Sequence, residues 1–237
     1  MHRSILAPLA GLLLAFPAAA QTVVPVADEP FHRTALLTPG ARILDIRMMP
    51  GDSTMYHSHA RPYFWVVISG QQFHSQLPGA EAARVDFAPG HVGFTAATES
   101  TPLVHRVFDR APVGFHLVSA ELVPGYPGTC TRWAAEPPAR GAEMLFDTLG
   151  VTVQRLSLAP GETLAPGSAG AQVWISLTGG TIAFSTPGSD AELVTELDAG
   201  QFIWAGKRGA VRNPGAARMD AVVLRWRECV EPFRPFP

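Results

Sequence analysis

Residues Leu37 to Ser53 read LTPGARILDIRMMPGDS, and residues Asp147 to Thr163 read DTLGVTVQRLSLAPGET. Laid over each other at a constant offset of 110, they match at Thr38/Thr148, Gly40/Gly150, Pro50/Pro160 and Gly51/Gly161. An acidic and then a hydroxyl residue follow in both, Asp52-Ser53 and Glu162-Thr163. The same offset carries DFAPGHVGF (86–94) onto ELDAGQFIW (196–204), pairing Gly90 with Gly200 and Phe94 with Trp204. Further on it shortens to 107, setting Val104 over Val211, His105 over Arg212, Leu117 over Leu224 and Glu121 over Glu228. Ahead of the block, Glu29-Pro30 pairs with Glu136-Pro137. An ordered series of this kind marks an internal duplication.

Each copy reads as β-structure. ILDIRMM and VTVQRLSL alternate apolar residues or nearly so, and Pro-Gly punctuation follows both. FWVVISG, VGFTAA, GFHLVSAEL, VWISLTGG, FIWAG and DAVVLRW are short runs rich in β-branched and aromatic residues. The 22 prolines and 22 glycines fall mainly between these runs, and no long amphipathic helix pattern interrupts them. The expected fold is all-β, a sandwich or barrel in two copies. The Pro/Gly-rich piece at 121–141 is the natural joint, which places the first copy at 21–128 and the second at 129–237.

Ahead of the first copy, residues 1–20 carry a basic start (His2, Arg3), an apolar run from Ile5 to Phe16 and the small-residue site Ala18-x-Ala20. That is the pattern of a secretory signal peptide, and its apolar core is too short to span a membrane comfortably. The expectation is an exported protein, periplasmic or extracellular, starting at Gln21. The remaining 217 residues can bury a sizeable core without cross-links. The formal charge of −2 has no basic or acidic block behind it, which argues against nucleic acid or an anionic membrane as partner. The two cysteines, Cys130 and Cys229, form an even pair, a candidate disulfide in an oxidising compartment. Neither has a second Cys or His at ligand spacing.

The segment Gly51 to Gly70, GDSTMYHSHARPYFWVVISG, places His57 and His59 two residues apart, so on a strand they share one face. Two imidazoles on one face hold a divalent ion if a third ligand arrives from elsewhere, and His105 opens another strand. Here the chain resembles the cupins. Their first motif spaces a Gly, His-x-His, Glu and Gly as Gly51, His57, His59, Tyr63 and Gly70 are spaced, with Tyr63 standing where the family has Glu. The tail of their second motif, His then Asn four residues on, matches His105 and Asp109. Together with the duplication, the resemblance implies a bicupin of two tandem jelly-roll barrels, a metal site on His57, His59 and His105, and Tyr63 as a substrate-binding pocket residue. In the second copy the repeat sets Gly167 and Ala169 at the first two positions and Arg212 at the third. The resemblance therefore implies one metal centre, holding Fe, Zn or Mn, in the first barrel. His32, in an N-terminal arm, and His74, His91 and His116 receive no role.

No G-x-S-x-G elbow, H-E-x-x-H, P-loop or Rossmann glycine pattern is present, so serine-hydrolase, zincin and nucleotide readings lack support. Three function classes remain. One is an exported metalloenzyme for a small molecule, dioxygenase-like or a Lewis-acid isomerase or lyase. The second is a metal-free cupin that binds a small ligand, and the third is a structural envelope protein. Two barrels in one chain form either a monomeric pseudo-dimer or the protomer of a homodimer.

Overall fold

A computed structural model of the chain describes residues 22–126, 129–135, 138–165 and 170–232. The expected signal peptide and the positions Glu136, Pro137, Gly167 and Ala169 lie outside the described residues. In the first half the strands are β1 (Val23–Pro25), β2 (His32–Leu37), β3 (Ala41–Met48), β4 (Tyr56–His59) and β5 (Tyr63–Ser69). They continue as β6 (Gln72–Gln76), β7 (Ala83–Asp86), β8 (Val92–Thr95), β9 (Leu103–Phe108) and β10 (Phe115–Leu122). A linking strand β11 (Cys130–Trp133) follows. The second half holds β12 (Glu143–Thr148), β13 (Val151–Leu158), β14 (Thr163–Leu164), β15 (Gln172–Ser176) and β16 (Gly180–Ser185). It ends with β17 (Glu192–Leu197), β18 (Phe202–Trp204), β19 (Val211–Arg212), β20 (Met219–Trp226) and β21 (Cys229–Pro232).

Each half folds its strands into two sheets. The first pairs β2-β3-β10-β5-β8 in one sheet and β1-β4-β9-β6-β7 in the other. The second repeats the order, β12-β13-β20-β15-β18 against β14-β19-β16-β17. The all-β architecture of two cupin-type barrels expected from the sequence is the architecture found. Among the described residues the first half has an extra edge strand, β1, which runs parallel to β4 and sets Val24 beside His57.

Strand parity explains why runs such as ILDIRM look almost continuously apolar. On β3, Ala41 and Ile43 point out of the barrel, while Leu44, Ile46 and Met48 point into it. On β13 the outward pair is Val151 and Val153, and the inward pair is Leu156 and Leu158. The outward faces meet in one core between the halves, where Ile43, Phe64, Val66 and Val118 pack with Val153, Val173, Ile175 and Val222. Burying each such side chain contributes about 1.5–3 kcal/mol, so the two barrels sit back to back as a pseudo-dimer. Gly200 lies at the edge of this seam at φ +83°, and a Cβ there would fall inside the His116 ring of the other half.

Hydrogen bonds correct the repeat alignment over its last third. Gly51 N donates to Asp109 O and Asp109 N to Asp52 O, just as Gly161 N donates to Asn213 O and Asn213 N to Glu162 O. Asp109 and Asn213 are therefore the matching pair, an offset of 104 rather than 107. The ladders agree, since Met48 faces Phe115 as Leu158 faces Met219. His105 then matches Gly209, not Arg212, and Glu121 matches Arg225, not Glu228. The cause is the period-two pattern of strands, in which single apolar matches recur at several registers; the ladder is specific where the pattern is not.

Cys130 and Cys229 form a disulfide, with Cα atoms 5.6 Å apart and a sequence separation of 99. It ties β11 to β21 and encloses nearly all of the second half. The reading of an even cysteine pair as a bridge agrees with this geometry.

Candidate metal centre

Four histidines meet inside the first barrel. His57 and His59 project from one face of β4, and the β4–β9 ladder pairs His57 directly with His105. Ring centroids lie 5.2 Å apart for His57 and His59, 4.6 Å for His57 and His105, and 5.3 Å for His59 and His105. The fourth is His32, whose ring is 4.3 Å from that of His57 and 5.8 Å from that of His59. One ligand atom from each of His32, His57 and His59 lies within 4.8 Å of the others. Among the described residues no other group of three potential ligands meets that distance, so His105 is close by its ring without joining that triad.

The sequence assigned His32 no role, and the signal was faint. It sits in β2, far from the His-x-His segment, and reaches the site because β2 pairs with β3 and sets His32 opposite Ile46. The neighbouring Glu29 holds it there: His32 Nδ1 lies 2.7 Å from Glu29 Oε2, and both side chains are buried. Glu29 Oε1 also accepts from Met55 N, on the approach to β4. The Glu-x-x-His spacing was the one local clue.

Hydrogen-bond partners fix several tautomers. A carboxylate and a peptide carbonyl only accept, so His32 donates from Nδ1 to Glu29, and His57 donates from Nδ1 to Met55 O at 3.0 Å. His105 Nδ1 lies 3.0 Å from Ser75 Oγ. His57 Nε2 and His105 Nε2 are left buried with no hydrogen-bond partner, as is His59 Nδ1, which faces Glu121 Oε1 at 3.8 Å. Glu121 is itself buried and ion-paired to Arg42 at 3.1 Å. Burial pushes the imidazoles strongly towards the neutral form, His57 to about 3 with help from His32, and His105 to about 2 with help from His57 and His59. Burial lowers His59 as well, against the opposing pull of Glu121.

These residues fit a divalent metal. Neutral imidazoles offer lone pairs, and a buried nitrogen left without a partner costs about 1–3 kcal/mol, a cost that an ion held among His32, His57 and His59 would remove at His57 Nε2. With metal–nitrogen bonds near about 2.1 Å, imidazole centroids around one ion stand about 4.5–6.5 Å apart, close to the separations found. Outer partners on Nδ1, as Glu29, Met55 O and Ser75 supply, are what metal-ligating histidines generally have.

Tyr63 does not follow on the β4 face. It opens β5 in the other sheet and stacks on His59, ring centroids 4.3 Å apart at 18°. Burial, opposed by a hydrogen bond with Thr95, raises its phenol to about 12 and keeps it protonated. It lines a cavity of about 220 Å³ that also reaches His32, His59 and His105 and is otherwise largely apolar. The remaining histidines stand apart: His74 stacks on Phe108, His91 on Phe87, and His116 is bound to Asp45 at 2.7 Å.

No family model matches this chain, and no curated protein sequence does. Solved structures do. A salicylate 1,2-dioxygenase from Pseudaminobacter salicylatoxidans is 13% identical over 79% of this chain and 71% of its own, with a TM-score of 0.55. AerE from Microcystis aeruginosa is 11% identical over 84% of this chain and 99% of its own, with a TM-score of 0.51. A cupin domain from Bordetella pertussis Tohama I aligns over 38% of this chain and 88% of its own, at 17% identity and a TM-score of 0.34. At such identities the likeness is one of fold.

Proposed function

We propose that this chain is an exported metalloprotein that holds one divalent transition-metal ion on the histidines of its first barrel and acts on a small molecule in the adjoining cavity. The observation that carries the reading is the close approach of ligand atoms from the buried His32, His57 and His59, with His57 Nε2 left without a hydrogen-bond partner and the His105 ring beside them. When bound, such an ion supplies Lewis-acid polarisation or, as iron, oxygen chemistry. The protein's own part is to orient and to exclude. Glu29, Met55 O and Ser75 hold the Nδ1 atoms of His32, His57 and His105, which turns Nε2 of each inwards. The ring of Tyr63 covers one side of His59, and the walls of the adjoining cavity are largely apolar. The disulfide supports the exported reading, since such bridges persist in oxidising compartments.

Oxygenation is the leading chemistry because a dioxygenase with this fold has been solved with gentisate, a small aromatic substrate. A metal-free ligand-binding module is the competing reading, and Tyr63 favours it by replacing the anionic ligand of the cupin motif with a neutral phenol. Oxygen uptake by iron-loaded protein, screened against small aromatic and aliphatic substrates, separates them. Substrate-dependent uptake that disappears in His57→Ala supports the oxygenase. Product formation without oxygen loss supports the Lewis-acid enzyme, and saturable binding with neither supports the module.

A further inference from the structure

We infer that Ser119 is the residue that selects the ligand of the first-barrel cavity: the cavity takes a molecule of one ring, and Ser119 Oγ bonds a hydroxyl or carbonyl group on it. The inference rests on the proposed reading of this cavity as the substrate pocket. The inward row of β10 is Phe115, Leu117, Ser119 and Glu121, since Val118, Ala120 and Leu122 pack in the seam between the halves. Glu121 ends that row beside His59. Ser119 therefore stands one strand repeat, about 7 Å, along the wall from the carboxylate that His59 faces.

Among the described residues three hydroxyls line the cavity, on Tyr63, Ser75 and Ser119. Tyr63 is bonded to Thr95 and Ser75 to His105. Ser119 is 2% exposed, and its Oγ has no hydrogen-bond partner. A buried hydroxyl in that state forfeits a hydrogen bond, and a ligand that supplies a partner restores it. The fold does not require this hydroxyl. On the matching rung the second barrel sets Val223 opposite Trp174, as Ser119 is opposite Trp65, and packs it into a filled interior with Trp174 and Phe184. Ser119 borders instead a space of about 220 Å³, half as large again as the roughly 150 Å³ apolar cavity that accepts benzene. Scaled from that case, it holds about nine non-hydrogen atoms, one ring with a small substituent. Trp65, Phe73, Phe87 and Phe115 supply its flat apolar walls. A hydrogen bond between a neutral group and this serine adds to whatever an ion on the histidines contributes, and its sign is the same with the ion bound or removed.

The test pairs benzyl alcohol with ethylbenzene, which has the same shape and a methyl group in place of the hydroxyl. Binding to the full-length protein is measured by calorimetry and ligand-observed NMR, on the sample as isolated and again after chelation, with the metal content of both recorded. The expected result is a ratio of alcohol to ethylbenzene affinity that falls about five- to tenfold in Ser119→Ala, in both samples, and is kept in Ser119→Thr, which retains the hydroxyl. Ethylbenzene should bind Ser119→Ala at least as well as the wild type. Leu117→Phe, which narrows the space from the next inward position, should weaken both probes alike; a crystal structure of the wild-type complex places the ring if that variant does not fold. 2-Naphthylmethanol, with a second fused ring, should not bind. An affinity ratio unchanged in Ser119→Ala overturns the inference, as does failure of both single-ring probes to bind, binding unchanged in Leu117→Phe, a ring seated outside the cavity, or equal binding of 2-naphthylmethanol. Wild-type protein that takes up no metal yet shows the Ser119-dependent ratio would sink the metal reading and leave this one standing, and metal-loaded protein without that ratio would do the reverse.

Discussion

Ser75 in the first barrel and Phe184 in the second stand on the same rung of the same strand, opposite Val107 and Val211. Ser119 and Val223 match in the same way, and the offsets of the neighbouring rungs set His32 over Ala142 and His105 over Gly209. All eight histidines of the chain precede residue 117, so the second half contains none. In the second half Trp174, Ile182 and Phe184 are fully buried and pack as one cluster, with Trp174 Nε1 bonded to Gln172. Its ladders are as regular as those of the first. The barrel therefore needs neither the histidines nor the space between them, and a first barrel that keeps both has given up core packing at that place.

The largest expected effect of this difference lies in a matched pair of tryptophans, Trp65 and Trp174, which face Ser119 and Val223 respectively. Trp174→Ala removes a fully buried ring and should cost about 3–5 kcal/mol in denaturant unfolding. Trp65→Ala, whose ring borders a cavity, should cost roughly half of that or less. Equal costs would mean that the first barrel is as tightly filled as the second. Next comes the disulfide, which joins cysteines 99 positions apart and closes a loop around the second half only. The Cys130→Ser/Cys229→Ser variant should lose about 2–4 kcal/mol, with hydrogen exchange rising in β12–β20 before it rises in β3–β10. Uniform acceleration across both halves would contradict that placement.

Acid should strike the halves unequally. Burial works against ionised Asp45, yet its bonds to His116 and Arg33 hold its carboxyl at about 2, below the usual 3.8. That stabilisation is complete above about pH 4 and is lost as the pH falls towards 2, worth about 2 kcal/mol in all. The matching residue in the second half is Arg155, which has no carboxyl group to protonate. Asp45→Asn should flatten the stability profile between pH 4 and 2, and an unchanged profile would place the acid sensitivity elsewhere. A smaller effect of opposite sign is expected at Asp109. Its counterpart Asn213 donates from Nδ2 to Leu158 O and Ala217 O, whereas Asp109 Oδ2 is buried with no partner. Asp109→Asn should raise the unfolding free energy by about 1 kcal/mol, read from urea curves, and a loss would show that the carboxylate has a use the repeat does not reveal.

The sequence made the duplication and the β-class legible because Pro-Gly turns and alternating apolar runs report backbone directly. That His57 and His59 share a face was legible from spacing, and the cupin-like motifs set β4 beside β9, which brings the ring of His105 near them without placing it in the triad of His32, His57 and His59. His32 was not, because its place depends on a long-range pairing of β2 and on the Glu29 bond rather than on any local pattern. The register of β9 and β10 against β19 and β20 was misread for the same reason. Valine and leucine matches recur along any strand, and only the ladder decides among them.

Elemental analysis of protein prepared without a histidine tag tests the central claim most directly. The account predicts close to one equivalent of a divalent transition metal in the wild type and none in the His57→Ala/His59→Ala variant, with the thermal unfolding of the folded variant still cooperative. Metal-free wild-type protein after growth with iron, zinc and manganese supplied, or a double variant that keeps its full equivalent, would contradict it.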